Sequence, residues 1–190
     1  MLECLAGLLP ADAGTVHWEG HELPPTRRKA ALFYLPDGIA PDAEQPVSAI
    51  LSFLGRTWGV PGFRLAEVVQ ALALGSVLTK PVGALSKGYR RRLLLAVGLL
   101  APQPLLAMDE PFDGLDLRQT REVMGLLRRV AEGGRALLLS IHQLTDAERV
   151  CDRFVLLAAG HVRGEGTMAE LRAAAGLSAG GLEEVFLALA

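Results

Sequence analysis

The sequence predicts an α/β protein built on a parallel sheet covered by helices on both faces. Three observations predict it. Short apolar runs, at residues 31–35, 105–108, 136–141 (interrupted only by Ser140) and 154–158, alternate with segments of helical periodicity. Apolar residues make up 51% of the 190 and charged residues 21%, which excludes a disordered chain and allows a substantial core. The run at 105–108 ends in two adjacent carboxylates, Asp109 and Glu110, followed by Pro111. Open α/β sheets bind their ligands at such strand ends.

The elements follow in order. Residues 1–10 read as the back end of a helix, with Leu2, Leu5, Leu8 and Leu9 on one face, Gly7 loosening it and Pro10 stopping it. Residues 15–19 alternate as a short strand that Gly20 ends. Residues 31–35 form a short buried strand, closed by the turn cluster Pro36-Asp37-Gly38. From about 46 to 80 the character is helical, with periodic segments at 47–58 and 65–78 around Pro61-Gly62. Ser86 suits the N-cap of a helix over 87–100, which Pro102 terminates. An amphipathic helix over 117–131 ends at Gly133-Gly134. Turns at Ala159-Gly160 and 164–166 flank a short exposed strand, and Thr167-Met168-Ala169-Glu170 is a capping box opening a further helix.

Composition excludes several functions. A net charge of −2 and a pI near 6.1 argue against a nucleic-acid binder working through bulk electrostatics. Cys4 and Cys151 lie far apart, so neither a disulfide framework nor a zinc site is read from them. The most apolar stretch, 93–108, is broken by Pro102, Gln103 and Pro104, whereas a membrane span needs about 20 apolar residues. The first ten residues carry Glu3 and no basic run, unlike a secretory signal. The mean hydropathy of +0.31 fits a chain resting on an apolar partner, and equally an Ala/Leu-rich composition.

Three segments carry chemistry. Asp109 suits a Mg²⁺ site reached through water, and Glu110 a base that polarises an attacking water, as in nucleotide hydrolases. Ser86-Lys87-Gly88 places a hydroxyl, an ammonium and a small residue at a helix N-terminus, where backbone N–H groups favour anions. His142 follows the strand at 136–141 and could donate to a phosphate oxygen. Taken singly, each has an ordinary structural explanation: an acidic strand end facing solvent, a plain N-cap, a loop histidine.

Taken in series, they resemble the ATP-binding subunit of ABC transporters over nearly the whole chain. Residues 85–89 resemble the family's Leu-Ser-Gly-Gly-Gln signature, with Lys87 and Tyr89 as departures. Residues 105–110 resemble the Walker B strand, implying Asp109 for magnesium and Glu110 as catalytic base. Residues 113–116 resemble the D-loop, implying nucleotide-binding positions for Asp113, where Ser is usual, and Asp116. His142 matches the switch histidine expected at the γ-phosphate. Gly160-His161-Val162 and Gly166-Thr167 match a late hairpin, and the tail 181–190, with Lys87, resembles exporters of the ABC-2 type.

The resemblance implies a P-loop NTPase fold, with 1–38 and 101–166 as the nucleotide-facing core, 39–100 as a helical signature lobe and 167–190 as C-terminal helices. It implies ATP and Mg²⁺, a membrane permease subunit, a second ATPase protomer whose nucleotide Ser86, Lys87 and Gly88 contact, no nucleic acid, and residence at the cytoplasmic face of the membrane. Two departures stand out. Asp37 occupies the place of a Gln that contacts the metal or its water. No Gly-x-x-x-x-Gly-Lys-Ser/Thr loop is present, and none of Lys29, Lys80 and Lys87 follows a glycine. The expectation is a truncated ATPase whose phosphate loop lies upstream of Met1. The alternative is a short non-hydrolysing form that lends its signature turn to a partner.

Overall fold

Described over residues 1–190 by a computed structural model, the chain separates into two units, Met1–Ser140 and Ile141–Ala190. In the first, α1 (Leu2–Ala6) stops at Gly7, which takes φ 76°. A Cβ there would lie 2.8 Å from the Pro25 carbonyl oxygen, so conformation and space both require glycine. The strand expected at 15–19 shrinks to β1 (His17–Trp18), paired antiparallel with β2 (His21–Glu22). Glu19 and Gly20 between them both take positive φ, 50° and 80°, and this turn reverses the chain. The helix α2 (Pro25–Ala31) has no apolar period and escapes sequence reading. Pro25 begins it, and Arg28 ties it down by donating to the carbonyl oxygens of Leu23 and Cys4.

The sheet is three-stranded and parallel, in the order β3 (Leu32–Leu35), β4 (Leu105–Asp109), β5 (Ala136–Ser140). Leu35 stands opposite Met108 and Asp109 opposite Ser140, so the carboxyl ends share one edge. Leu106, Ala107 and Met108 are fully buried, as the apolar run requires.

Between β3 and β4 lie α3 (Val47–Thr57), α4 (Gly62–Ala71) and α5 (Lys87–Leu100). The helix expected over 65–78 ends early at Ala71. Ala73 adopts φ 51° and breaks it, letting Leu72 and Leu74 both enter the core. A helical turn at Gly75–Val77 follows. Nine of the 14 residues of α5 are buried, including Arg91 and Arg92, which makes it the central helix of this unit. It lies close on the sheet at Gly98, where a Cβ would sit 3.1 Å from Leu106 Cδ1. Arg135 closes its far end, donating to the carbonyls of Gly98 at 2.9 Å, Leu99 at 3.2 Å and Gln103 at 3.0 Å. Burial, helped by the charge of Arg64, pulls the Arg135 pKa below its ordinary value. The amphipathic α6 (Leu117–Glu132) links β4 to β5.

The second unit contains α7 (Leu144–Val150), β6 (Phe154–Ala158), β7 (His161–Gly166), α8 (Met168–Ala174) and α9 (Leu182–Leu189). Its core gathers Ala147, Phe154, Leu156, Leu171, Leu182 and Val185. Here one expectation fails. The apolar run at 154–158 is not a fourth strand of the parallel sheet: β6 pairs antiparallel with β7 alone. Only Phe154 and Leu156 face inward, while Val155 and Leu157 are 52% and 42% exposed. Its composition hides an alternation that the pleat imposes. The capping box at Thr167 and Glu170 forms as expected, and the Thr167 amide is the main cause holding the Glu170 carboxyl below its ordinary pKa. No helix of either unit is long and apolar enough to cross a membrane.

Candidate functional site

The carboxyl end of β4 delivers Asp109 and Glu110 side by side. Glu110 is held at φ 47°, a left-handed conformation that a residue with a Cβ adopts only at a cost. Its own amide donates to the Ser140 carbonyl at 3.0 Å, and its carbonyl accepts from the Asp113 amide at 3.1 Å, pinning the turn. The buried Pro111 then sends the chain away from the sheet. Tyr34 of β3 faces the same edge: burial raises its phenol pKa, and the charges of Asp109, Glu3 and Asp37 raise it further.

The N-terminus of α5 sits on the loop that follows. Ser86 caps the helix, its Oγ accepting from the Tyr89 amide at 3.4 Å. Gly88 lets the helix approach, since a Cβ there would lie 3.0 Å from Gln119 Oε1 and 3.2 Å from the Gly114 carbonyl oxygen. Gly114, at φ 79°, faces the Lys87 side chain, which would meet its Cβ at 2.6 Å. Lys87 Nζ straddles the Asp113 carboxylate, 3.0 Å from Oδ1 and 2.8 Å from Oδ2. The hydrogen bond from Lys87, with the charges of Lys87 and Arg91, holds the Asp113 carboxyl below the ordinary range. Asp116 caps α6, accepting from the Gln119 amide at 2.8 Å.

Of the residues singled out in the sequence, Asp37, Ser86, Lys87, Gly88, Asp109, Glu110, Asp113 and Asp116 all belong to the first unit. Asp37, Lys87 and Asp113 are joined by charge. Asp37 pairs with Arg91 of α5, and Arg91 lies 3.8 Å from Asp113 Oδ2. His142 belongs to the second unit, exposed in the bend before α7. Sequence reading missed Arg91 and Tyr34. The run Arg90-Arg91-Arg92 at the head of an apolar helix was the available signal, because a helix buried on most sides must bury some of those arginines.

The ABC transporter family profile matches residues 1–113. The chain is 32% identical over 179 residues, 90% of its length, to the Nod factor export ATP-binding protein I of Ralstonia nicotianae, covering 55% of that protein. It is 30% identical over 185 residues, 92% of its length, to the daunorubicin/doxorubicin resistance ATP-binding protein DrrA of Streptomyces peucetius, covering 55% of it. It is 32% identical over 180 residues, 91% of its length, to the molybdenum import ATP-binding protein ModC of Rhodobacter capsulatus, covering 50% of it. The chain thus spans about half the length of these curated relatives. A solved structure described as the ATP binding subunit of an ABC transporter superposes with a TM-score of 0.86 at 28% identity, over 99% of this chain and 81% of that one. With its parallel sheet, its signature-like turn at Ser86 and its strand-end carboxylates, the chain belongs to the ABC transporter family of ATP-binding proteins.

Proposed function

We propose that this chain binds and hydrolyses ATP to power a transporter of the ABC-2 export type. The observation that carries the reading is the seating of the α5 N-terminus on residues 113–115, immediately after Asp109 and Glu110. One element is suited to phosphate, the other to a metal and a water, and Gly88 and Lys87 tie them together. Of three relatives of similar identity, one is named for export, one for drug resistance and one for import, so identity does not choose the direction. The exporter-like tail at 181–190 and Lys87 favour export.

The chain's residues take these roles. Asp109, half-buried at the strand end, would hold Mg²⁺, through water as the resemblance implies. Mg²⁺ is a hard cation that keeps its waters and leans on phosphate oxygens, so a single carboxylate suits it. When bound, Mg²⁺ neutralises charge on the phosphate chain. Glu110 orients the attacking water and accepts its proton. His142 donates to the γ-phosphate. Ser86, Lys87 and Gly88 meet the γ-phosphate of a nucleotide held by a second protomer. Asp113 and Asp116 hold the loop between the two sites, and Asp37 lines the same edge. A membrane subunit and the cytoplasmic face of the membrane complete the assembly.

The 190 residues contain no Gly-rich phosphate loop, and without one the phosphate chain is not fixed for the groups that act on it. By itself the chain is therefore expected to bind ATP·Mg²⁺ weakly and turn it over negligibly. Fused behind a strand and a Gly-x-x-x-x-Gly-Lys-Thr loop, it should gain both. In that fusion Glu110→Gln should keep ATP bound while turnover falls by about 10² to 10⁴. Unchanged turnover would remove Glu110 from the reaction. Equal activity with and without the loop would mean the phosphate site lies elsewhere.

A further inference from the structure

Arg91 is the least exposed member of the charged group around the α5 N-terminus. Its side chain is 5% exposed, against 46% for Asp37 and 42% for Asp113. Its Nη2 pairs with the Asp37 carboxylate and stands 3.8 Å from Asp113 Oδ2, and its Nε donates to the Asp113 carbonyl at 3.2 Å. Its Nη1 is buried with no hydrogen-bond partner. The compensation of this buried cation therefore runs through two loops, one leaving β3 and the other following β4. One helical turn earlier, Lys87 holds Asp113 from the same side of α5.

We infer that Arg91 and Asp37 are positioning residues: Arg91 clamps the loops carrying Asp37 and Asp113 to α5 and so fixes the Ser86 turn against the segment after Glu110. The assignment rests on the proposed reading of that turn as a phosphate contact. The chemistry favours a guanidinium here. Its planar fork reaches two acceptors in different directions, which a single ammonium cannot do. Asp37 and Asp113 can hydrate if released, whereas Arg91 would keep a buried charge with less compensation. The clamp thus acts on the position of α5 more than on the fold of the loops. It also changes the role of position 37. Where the family resemblance puts a side chain at the metal or its water, this carboxylate is turned to the signature helix.

Amide hydrogen exchange of the nucleotide-free 190-residue chain tests the clamp directly. The amides of Arg90, Asp113 and Leu115 are hydrogen-bonded at 2.9, 3.1 and 3.1 Å and report on the two segments. Asp37→Asn should speed exchange about tenfold at all three, and Asp37→Glu should restore slow exchange. Arg91→Gln should act in the same way, and Asp37→Asn and Asp37→Glu decide the matter if that variant does not fold. Faster exchange confined to residues 37–39, or an Asp37→Glu variant as fast as Asp37→Asn, would overturn the inference. In the assembled transporter Asp37→Asn should lower kcat at unchanged KM for ATP, again restored by Asp37→Glu. A raised KM would instead put Asp37 on the metal or the nucleotide. Because exchange is read without nucleotide, failure of the phosphate reading would leave the exchange pattern intact. Failure of the clamp would leave the phosphate contacts of Ser86 untouched.

Discussion

Two helices of the first unit begin against each other and begin differently. At the head of α6, Asp116 Oδ1 accepts from the Gln119 amide at 2.8 Å, and Gln119 Oε1 accepts in return from the Asp116 amide at 3.4 Å. At the head of α5, Ser86 Oγ reaches the Tyr89 amide only at 3.4 Å, and Tyr89 stands where a reciprocal acceptor would be. Both helices lack an acid in the first turn; α5 carries Lys87 and Arg90 there, and α6 carries Arg118, which pairs with Glu122. A helix that satisfies its own end donors has little to offer a ligand. One that closes them loosely, with a hydroxyl and a glycine, leaves an electropositive seat for an anion. The α6 start is built for stability, and the α5 start is the one the proposed phosphate contact uses.

The strongest way to break this comparison is to fill the seat. Ser86→Trp in a complete transporter should abolish ATP-driven association of the two ATPase protomers, with nucleotide affinity of the separated protomer nearly unchanged. Ultracentrifugation with and without ATP, alongside nucleotide titration, reads both quantities. Equal loss of affinity would move the contact of Ser86 onto its own protomer's nucleotide and end the contrast between the two starts.

Gly88 joins the two helix starts, and a larger residue there should damage both. A valine would press on Gln119 Oε1 and the Gly114 carbonyl, 3.0 and 3.2 Å from the position of its Cβ. The capping box of α6 would lose its reciprocal bond as α5 lifted away. Gly88→Val is expected to cost about 1–3 kcal/mol in denaturant unfolding, as overpacked contacts do. Gly88→Ala makes the same Cβ contacts but adds no γ-methyls and gains helix propensity over glycine, so it should lose less than the valine variant. A Gly88→Val variant as stable as the parent would mean that the helices do not bear on each other there.

How far the sequence led is clearest at these same residues. The apolar runs at 105–108 and 136–141 predicted parallel strands and their common edge, because such runs are buried on both faces. Ser86 was legible as a cap because its chemistry is local. The partners of the site were less so. Nothing in Asp37 or Arg91 alone announces a pair 54 residues apart, and the positive φ of Glu110 and Ala73 comes from packing and has no signal in residue type. Phe154–Ala158 misled because a strand with one exposed face can still be apolar on both. The helix α2 lacked the periodicity by which helices are read, and α7 carries it in Leu144, Ala147 and Val150 over only seven residues.

The cap of α6 gives the next prediction. Asp116→Ala should lower stability by about 1 kcal/mol, the usual worth of an N-cap, with ATP-driven association unaffected. Loss of association at unchanged stability would place Asp116 in the nucleotide contact and make the two helix starts alike.

The smallest effect concerns pH, and it separates Lys87 from the cap beside it. The Asp113 carboxyl is held below its ordinary pKa, chiefly by the hydrogen bond from Lys87. A carboxyl depressed in the folded state binds fewer protons than in the unfolded chain. Its stabilising contribution is therefore complete above the ordinary carboxylate pKa and is lost as pH falls through the depressed folded value. Both side chains are well exposed, at 70% and 42%, so salt and water screen the pair and the contribution is small. Unfolding midpoints measured from pH 6 downward should fall slightly less steeply in Lys87→Met than in the parent. The difference should shrink in 1 M salt, where the Debye length is about 3 Å. If Lys87→Met kept the parent's acid slope, Asp113 would owe its low pKa to Arg91, and Lys87 would stand free of the loop on which α5 rests.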